Sequence, residues 1–282
     1  MPSLTPEFVA VGHVTLDRFG DVTRPGGAAL YAALTAHRLG LSAAILTSHA
    51  DDFPLDLLPP RIEVVSVPAA ETTRFEHRVE GTERAMRVTA AAGPLAVRDV
   101  PEDWGAADIV MLSPVIEEVD PLVITAFTAG SIGAAVQGYL RRLDADGQVI
   151  FQPWASPDVV LDHAQAVFLS LEDVNHDMED VEEWFQRVPV GVVTDGHLGA
   201  HLYVNGECYR VRPRRTREID ATGAGDVFAA AFMVEYRRHG DPWEAAAAAA
   251  CAASLSVEGE GWATVPDRQA LDVALADYRR SV

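Results

Sequence analysis

Apolar and polar positions along this chain fall into two rhythms that take turns. Short apolar runs at 8–12, 43–47, 62–67, 109–112, 134–137, 166–169 and 190–194 read as strands buried on both faces. Between them, apolar residues recur with helical spacing at 28–39, 121–129, 181–186, 224–238, 242–255 and 268–280. Strands alternating with helices predict an α/β fold, a parallel sheet covered by helices on each side. One piece breaks the alternation. Segments 72–79 and 82–89 read as two strands joined at Glu80-Gly81, a hairpin, with 14–22 as its expected strand partner.

The pattern shows no repeat, no low-complexity linker and no compositional break, so a single domain over 1–282 is expected. The net charge of −20 disfavours nucleic acid and anionic membrane surfaces as partners. All 22 cationic Lys+Arg residues are Arg. Two cysteines, Cys208 and Cys251, make no disulfide framework. The longest apolar run, 245–257, is short for a bilayer and rich in small residues, which suits a close-packed interior helix. The chain enters its first strand without a basic leader, so a cytoplasmic protein is expected.

The strongest chemical signal is Asp220-Ala221-Thr222-Gly223-Ala224-Gly225-Asp226, between a β-like segment at 208–219 and the helical pattern at 224–238. Glycines let the backbone turn tightly and bring free amides to a helix start, where an anion is favoured. An acid beside an anion site is electrostatically awkward, and taking a proton from a hydroxyl that attacks a phosphate would explain it. A Walker loop would need a lysine after its last glycine. A dinucleotide fingerprint would need glycine where Phe228 stands, and a hydrolase elbow would need Gly-x-Ser-x-Gly. The plainer reading is a helix start with an acid in its first turn.

The seven-residue motif, followed by Val-Phe-Ala-Ala-Ala-Phe, resembles the signature of the ribokinase-like (PfkB) carbohydrate kinases. Gly12-His13-Val14-Thr15-Leu16-Asp17 and the later Pro25-Gly26-Gly27 are similar to that family's N-terminal substrate region. The run at 193–200, Val-Thr-Asp-Gly-His-Leu-Gly-Ala, is similar to its nucleotide-binding turn. The resemblance implies a ribokinase-like three-layer α/β/α sandwich. It also implies a small β-sheet lid, from about 13–24 and 71–90, that covers the substrate and can serve in homodimer contacts.

The resemblance also implies a site. Asp226 would be the general base, and the amides of Gly223, Ala224 and Gly225 an anion hole. Asp17 would anchor two substrate hydroxyls, with Gly26 and Gly27 giving close backbone approach. Tyr31 stands where the ribokinase pattern has Asn, and reads equally as a face for a ring-shaped substrate or as a core aromatic. Glu172 and Asp173 stand in place of an Asn-x-x-Glu motif and would keep the acidity that Mg²⁺ prefers. Gln137-Gly138-Tyr139-Leu140-Arg141 is similar to a Gln-Gly…Arg variant of some sugar and inositol kinases. Arg141 there would neutralise phosphate charge or lie at the surface beside Arg142. Thr194, Gly196 and Gly199 would border the nucleotide's phosphates and ribose, and Ala252, Ser256 and Gly261 an adenine slot.

The expected activity is ATP- and Mg²⁺-dependent phosphorylation of a hydroxyl on a sugar, cyclic polyol or nucleoside. Arg74, Arg78, Arg84 and Arg87 in the hairpin keep a sugar phosphate open as acceptor. A catalytically idle binding protein on the same fold is the rival, supported by the altered Asn positions and opposed by the intact Asp226 motif.

Overall fold

Alternate residues of each central strand face different cores. In the computed structural model, which describes residues 5–80, 83–128 and 130–281, Phe8 and Ala10 lie in one core and Val9 and Val11 in the other. Ile109 and Met111 against Val110 and Leu112 repeat the split. A strand apolar on both faces needs cover on both faces, and this sheet has it.

In chain order the strands are β1 (Phe8–Val11), β2 (Thr15–Phe19), β3 (Val22–Gly26), β4 (Ala43–His49), β5 (Ile62–Pro68), β6 (Thr73–Glu80), β7 (Glu83–Ala90), β8 (Ile109–Leu112), β9 (Ser131–Ala135), β10 (Arg141–Leu143), β11 (Val149–Phe151), β12 (Ala166–Ser170), β13 (Val190–Thr194), β14 (Ala200–Val204) and β15 (Glu207–Val211). The helices are α1 (Ala28–Arg38), α2 (Asp158–Leu161), α3 (Glu179–Phe185), α4 (Ala224–His239), α5 (Pro242–Ser256) and α6 (Arg268–Ser281). Nine strands form the main sheet in the order β15-β14-β13-β12-β9-β8-β1-β4-β5. The β13–β14 and β14–β15 pairs are antiparallel and the other pairs parallel.

Helices α1, α4, α5 and α6 cover one face. The Ala-rich side of α5 lets it seat closely on α4, with Ala245, Ala249, Cys251 and Ala252 fully buried. Asp241 starts α5 by accepting from the amides of Trp243 and Glu244, with Pro242 following. The opposite face is covered by α2, α3 and short 3₁₀ segments, with Trp104, Trp154 and Trp184 buried in the core beneath them. Among the described residues, no helix is long and apolar enough to cross a membrane.

A second sheet has the order β3-β2-β6-β7. The single strand expected at 14–22 is instead two antiparallel strands, because Gly20 at φ 60° and Asp21 form a two-residue turn. The Glu80-Gly81 turn of the second hairpin lies partly outside the described residues. Asp17, Phe75 and Val88 share one face of this sheet by register, and that face packs on Ala28 and Val115. Arg18, Glu76 and Arg87 share the other.

Other boundaries moved for local reasons. The segment expected as a helix at 121–129 is a 3₁₀ turn over Pro121–Ala126, capped by Asp120. The strand expected to reach 137 stops at Ala135, and Val136–Leu140 winds into a 3₁₀ turn. The β-like run at 208–219 keeps its pairing only to Val211, after which Pro213 has no amide to offer a neighbour.

Candidate active site

Strands β1, β8, β9, β12 and β13 are parallel, so their carboxyl ends open on one edge of the sheet. Such an edge is where open α/β sheets gather ligand-binding loops. The loop before α4 lies there. Gly223 caps the helix in the left-handed conformation at φ 75°. A β-carbon on it would stand 2.5 Å from the ring of Tyr31, so backbone and packing both demand glycine. Tyr31 itself is 3% exposed. Its hydroxyl is pushed well above the usual tyrosine value by burial and by the carboxylates of Asp220, Asp17 and Asp226, with Arg24 opposing. Three acids therefore converge around one aromatic side chain. Tyr31 thus packs into the helical core beside the motif loop.

Asp226 occupies the first turn of α4. Its carboxyl is densely surrounded without being sealed from solvent. Burial pushes it up to about 7; Arg141 pulls it down, and the acids Asp173 and Asp17 push it up. Gln137 Nε2 donates to Asp226 Oδ1 at 3.2 Å. Gln137 Oε1 accepts from Arg141 Nη2 at 2.9 Å, and the same nitrogen reaches Asp173 Oδ1 at 3.2 Å. Asp173 Oδ2 in turn accepts from the Ser170 amide at 2.9 Å and hydroxyl at 2.8 Å. A continuous polar chain thus runs from the end of β12 to Asp226.

Asp17 projects from β2 and is 6% exposed. Burial pushes its carboxyl up to about 6, against the Thr15 hydroxyl, which donates to Oδ1 at 2.8 Å. A β-carbon on Gly26 would stand 2.1 Å from Asp17 Oδ2, so the two strands meet here only because one residue lacks a side chain. Gly27, at φ 102°, caps α1.

Several expected site residues do other work. The Ala224 amide closes a turn onto Ala221 O at 3.2 Å. Of the three proposed anion-hole amides, only those of Gly223 and Gly225 lack a backbone partner among the described residues. Ala252 is fully buried in the helical core, and Ser256 turns its hydroxyl back to Ala253 O at 2.8 Å. The Gly261 amide donates to Asp220 Oδ2 at 3.0 Å. Ala252 and Ser256 are therefore buried rather than free to line an adenine slot, while Gly261 stays partly exposed. Gly199, at φ 100°, lies against Val211 O and turns the chain into β14. Thr194 ends β13, with its hydroxyl 3.5 Å from Leu169 O, and Gly196 is exposed beside it.

The metal assignment fits poorly. Asp173 is spoken for by Arg141 and Ser170, while Glu172 points to solvent. Among the described residues, no group of three or more His, Cys, Asp or Glu could hold a metal ion. The hairpin arginines are also engaged. Arg74 pairs with Asp52, Arg78 with Glu76 at 3.1 Å, and Arg87 Nε donates to Asp146 O at 2.7 Å. The Arg84 side chain lies outside the described residues.

Two residues gain roles the sequence did not suggest. Asp220 binds the Thr222 amide at 2.9 Å, the Gly261 amide and Arg24. Burial works to raise it, but these partners outweigh burial and hold it below the usual carboxylate range. The Asp-x-Thr spacing is the one legible sign, since it favours a side-chain-to-amide turn. Arg24, on β3, spans Asp220 at 3.4 Å and Glu260 at 2.9 Å, tying the small sheet to the motif loop.

Comparison with known proteins places this geometry in context. Residues 159–268 match the model of the pfkB family of carbohydrate kinases. A cytidine kinase from Thermococcus kodakarensis is 24% identical over 259 residues, covering 84% of this chain and 91% of that protein. A pyrophosphate-dependent kinase of the ribokinase family, solved with a pyrophosphate analogue and myo-inositol, superposes with a TM-score of 0.77 at 20% identity, over 94% of this chain and 99% of its own. A nucleoside kinase from Methanocaldococcus jannaschii superposes with a TM-score of 0.71 at 19% identity, over 96% and 98%.

Proposed function

We propose, from the premise that this chain belongs to the ribokinase-like (PfkB) carbohydrate kinases and is a phosphotransferase with a hydroxyl acceptor, that it phosphorylates an uncharged sugar, cyclic polyol or nucleoside with Asp226 as general base. The observation that carries this reading is the position of Asp226: in the first turn of a helix whose Gly223 and Gly225 amides have no backbone partner, with Asp17 close enough that both charges act on Tyr31.

Phosphoryl transfer asks for positioning and charge stabilisation more than for covalent chemistry. Asp17 accepts hydrogen bonds from acceptor hydroxyls and holds the acceptor under the small sheet, which acts as a lid. The attacking hydroxyl oxygen forms its bond to the terminal phosphorus of the donor as its proton passes to Asp226. The phosphorus–oxygen bond to the leaving phosphate breaks, and the charge stays on that leaving group. The amides of Gly223 and Gly225 and the α4 amino end face the transferring group. Arg141 supplies the nearest cationic charge to Asp226.

An uncharged acceptor is favoured because Arg74, Arg78 and Arg87 are engaged elsewhere. The donor is ATP; Mg²⁺ would supply counter-charge to its phosphates, since the described residues form no protein cage for it. Pyrophosphate is a second donor reading, favoured by one observation: Ala252 and Ser256 are buried and offer no free surface to adenine.

The test is direct. The protein is incubated with ATP or pyrophosphate and a panel of pentoses, hexoses, inositols and nucleosides, and products are identified by mass spectrometry. A phosphorylated acceptor from one class, with ADP or phosphate released in step, supports the reading. Tight donor binding with no acceptor phosphorylated would instead support an idle binding protein.

A further inference from the structure

The polar chain that ends on Asp226 has a direction built into it. A glutamine amide can present either its oxygen or its nitrogen to a neighbour, and nothing intrinsic to the side chain decides which. Here the neighbours decide. Arg141 carries only donors, so the Gln137 group facing it at 2.9 Å must be the oxygen. The nitrogen is then left facing Asp226 Oδ1 at 3.2 Å. Arg141 is itself fixed, since its Nη2 also meets Asp173 Oδ1, and Asp173 is held by Ser170.

The backbone is shaped for this. Gln137 and Arg141 sit four apart in the 3₁₀ turn Val136–Leu140 and the residue after it. That turn presses on the loop after β8, where the backbone of Pro114 leaves no room for a β-carbon on Gly138. Glu118 anchors the same loop by accepting from the amides of His13, Val115 and Ile116.

We propose that Gln137 is a positioning residue for the reaction: its amide, oriented by Arg141 and Asp173, holds Oδ1 of Asp226 so that the remaining oxygen is turned to the acceptor hydroxyl. The proposal rests on the kinase reading for its consequence and on the hydrogen-bond geometry for its cause. It assigns Asp173 to this chain rather than to a metal. A donor on a carboxylate also favours its ionised form, so Gln137 counteracts the burial of the base. The other charged or titratable groups facing Asp226 are Arg141, Asp173, Asp17 and the Tyr31 hydroxyl.

The experiment uses Gln137→Met, which keeps length and loses both polar groups, and Gln137→Glu, which keeps shape and the Arg141 contact. With Gln137→Met, kcat falls about 10- to 100-fold, acceptor KM stays within about twofold, and the acid limb of kcat/KM moves to higher pH. With Gln137→Glu the second carboxylate beside Asp226 moves that limb further, and activity lost at pH 7 returns toward pH 9. A fall in kcat with an unmoved limb would make Gln137 merely structural. A rise in KM alone would make it an acceptor contact, and unchanged kinetics would leave it no role; each overturns the proposal. Titration of the Asp226 carboxyl by ¹³C NMR, assigned with Asp226→Asn, needs no turnover. It separates failure of the positioning claim from failure of the kinase reading: Gln137→Met must raise that titration midpoint, and an unchanged midpoint contradicts it.

Discussion

The ring of Tyr31 lies against Gly223 so closely that a β-carbon on the glycine would be 2.5 Å away. The helix α1 therefore supports, through one aromatic side chain, the turn that begins α4. Gly223→Ala brings both a clash and a left-handed non-glycine residue, and removes activity with a drop in thermal stability. Tyr31→Phe keeps the ring and retains most turnover. Tyr31→Ala empties the support and destabilises by about 3–5 kcal/mol, the usual cost of deleting a large buried aromatic. Denaturant unfolding and steady-state rates distinguish the three. Full activity in Gly223→Ala would show that the turn tolerates rearrangement.

Asp17 and Gly26 form a second dependent pair. Asp17→Asn keeps the shape and loses the charge, so acceptor kcat/KM falls by about 10- to 100-fold, as expected for losing hydrogen bonds to a charged group worth ~1.5–3 kcal/mol. Gly26→Ala puts a β-carbon against Asp17 Oδ2 and mimics that loss while leaving the carboxylate's charge in place. Donor affinity, measured by calorimetry, stays unchanged in both variants. A comparable loss of donor affinity would place Asp17 outside the acceptor subsite.

The raised carboxyls give opposite pH trends for activity and stability. Asp226 must be ionised to take a proton, so kcat/KM falls as pH drops below about 7. Folded Asp226 and Asp17, at about 7 and about 6, hold protons more tightly than the usual value of 3.8. Between pH 4 and 7 the folded state thus binds more protons than the unfolded state, and this contribution to stability is lost as pH rises through that window. Asp226→Asn removes the penalty, and is more stable than wild type at pH 8 with a flatter stability profile between pH 5 and 8. Denaturation at the two pH values checks the sign; a less stable variant at pH 8 would reverse it.

The alternation of short apolar runs with helical spacing carried the α/β layering, because burial on both faces leaves an unmistakable pattern in strands such as 8–11 and 109–112. The seven-residue motif carried its own location, since Gly223 and Asp226 need only local backbone to be placed. Tertiary packing decided the rest. Nothing local says that Ala252 faces a helix rather than a ligand, or that Gly261 gives its amide to Asp220. Asp173 is acidic and near a strand end, which suits a metal ligand equally well until Arg141 arrives from 32 positions away. The turn at Gly20-Asp21 was legible in principle, as a glycine–acid pair inside an alternating run, and its absence from the expected elements merged two strands into one.

The measurement that bears most directly on the proposed chemistry compares wild type with Asp226→Asn, using the best acceptor and saturating donor. Loss of about 10²- to 10⁴-fold in kcat, the range for removing a general base, with donor affinity intact, is the expected result. Turnover by Asp226→Asn at the wild-type rate would contradict the assignment of Asp226 and the mechanism built on it.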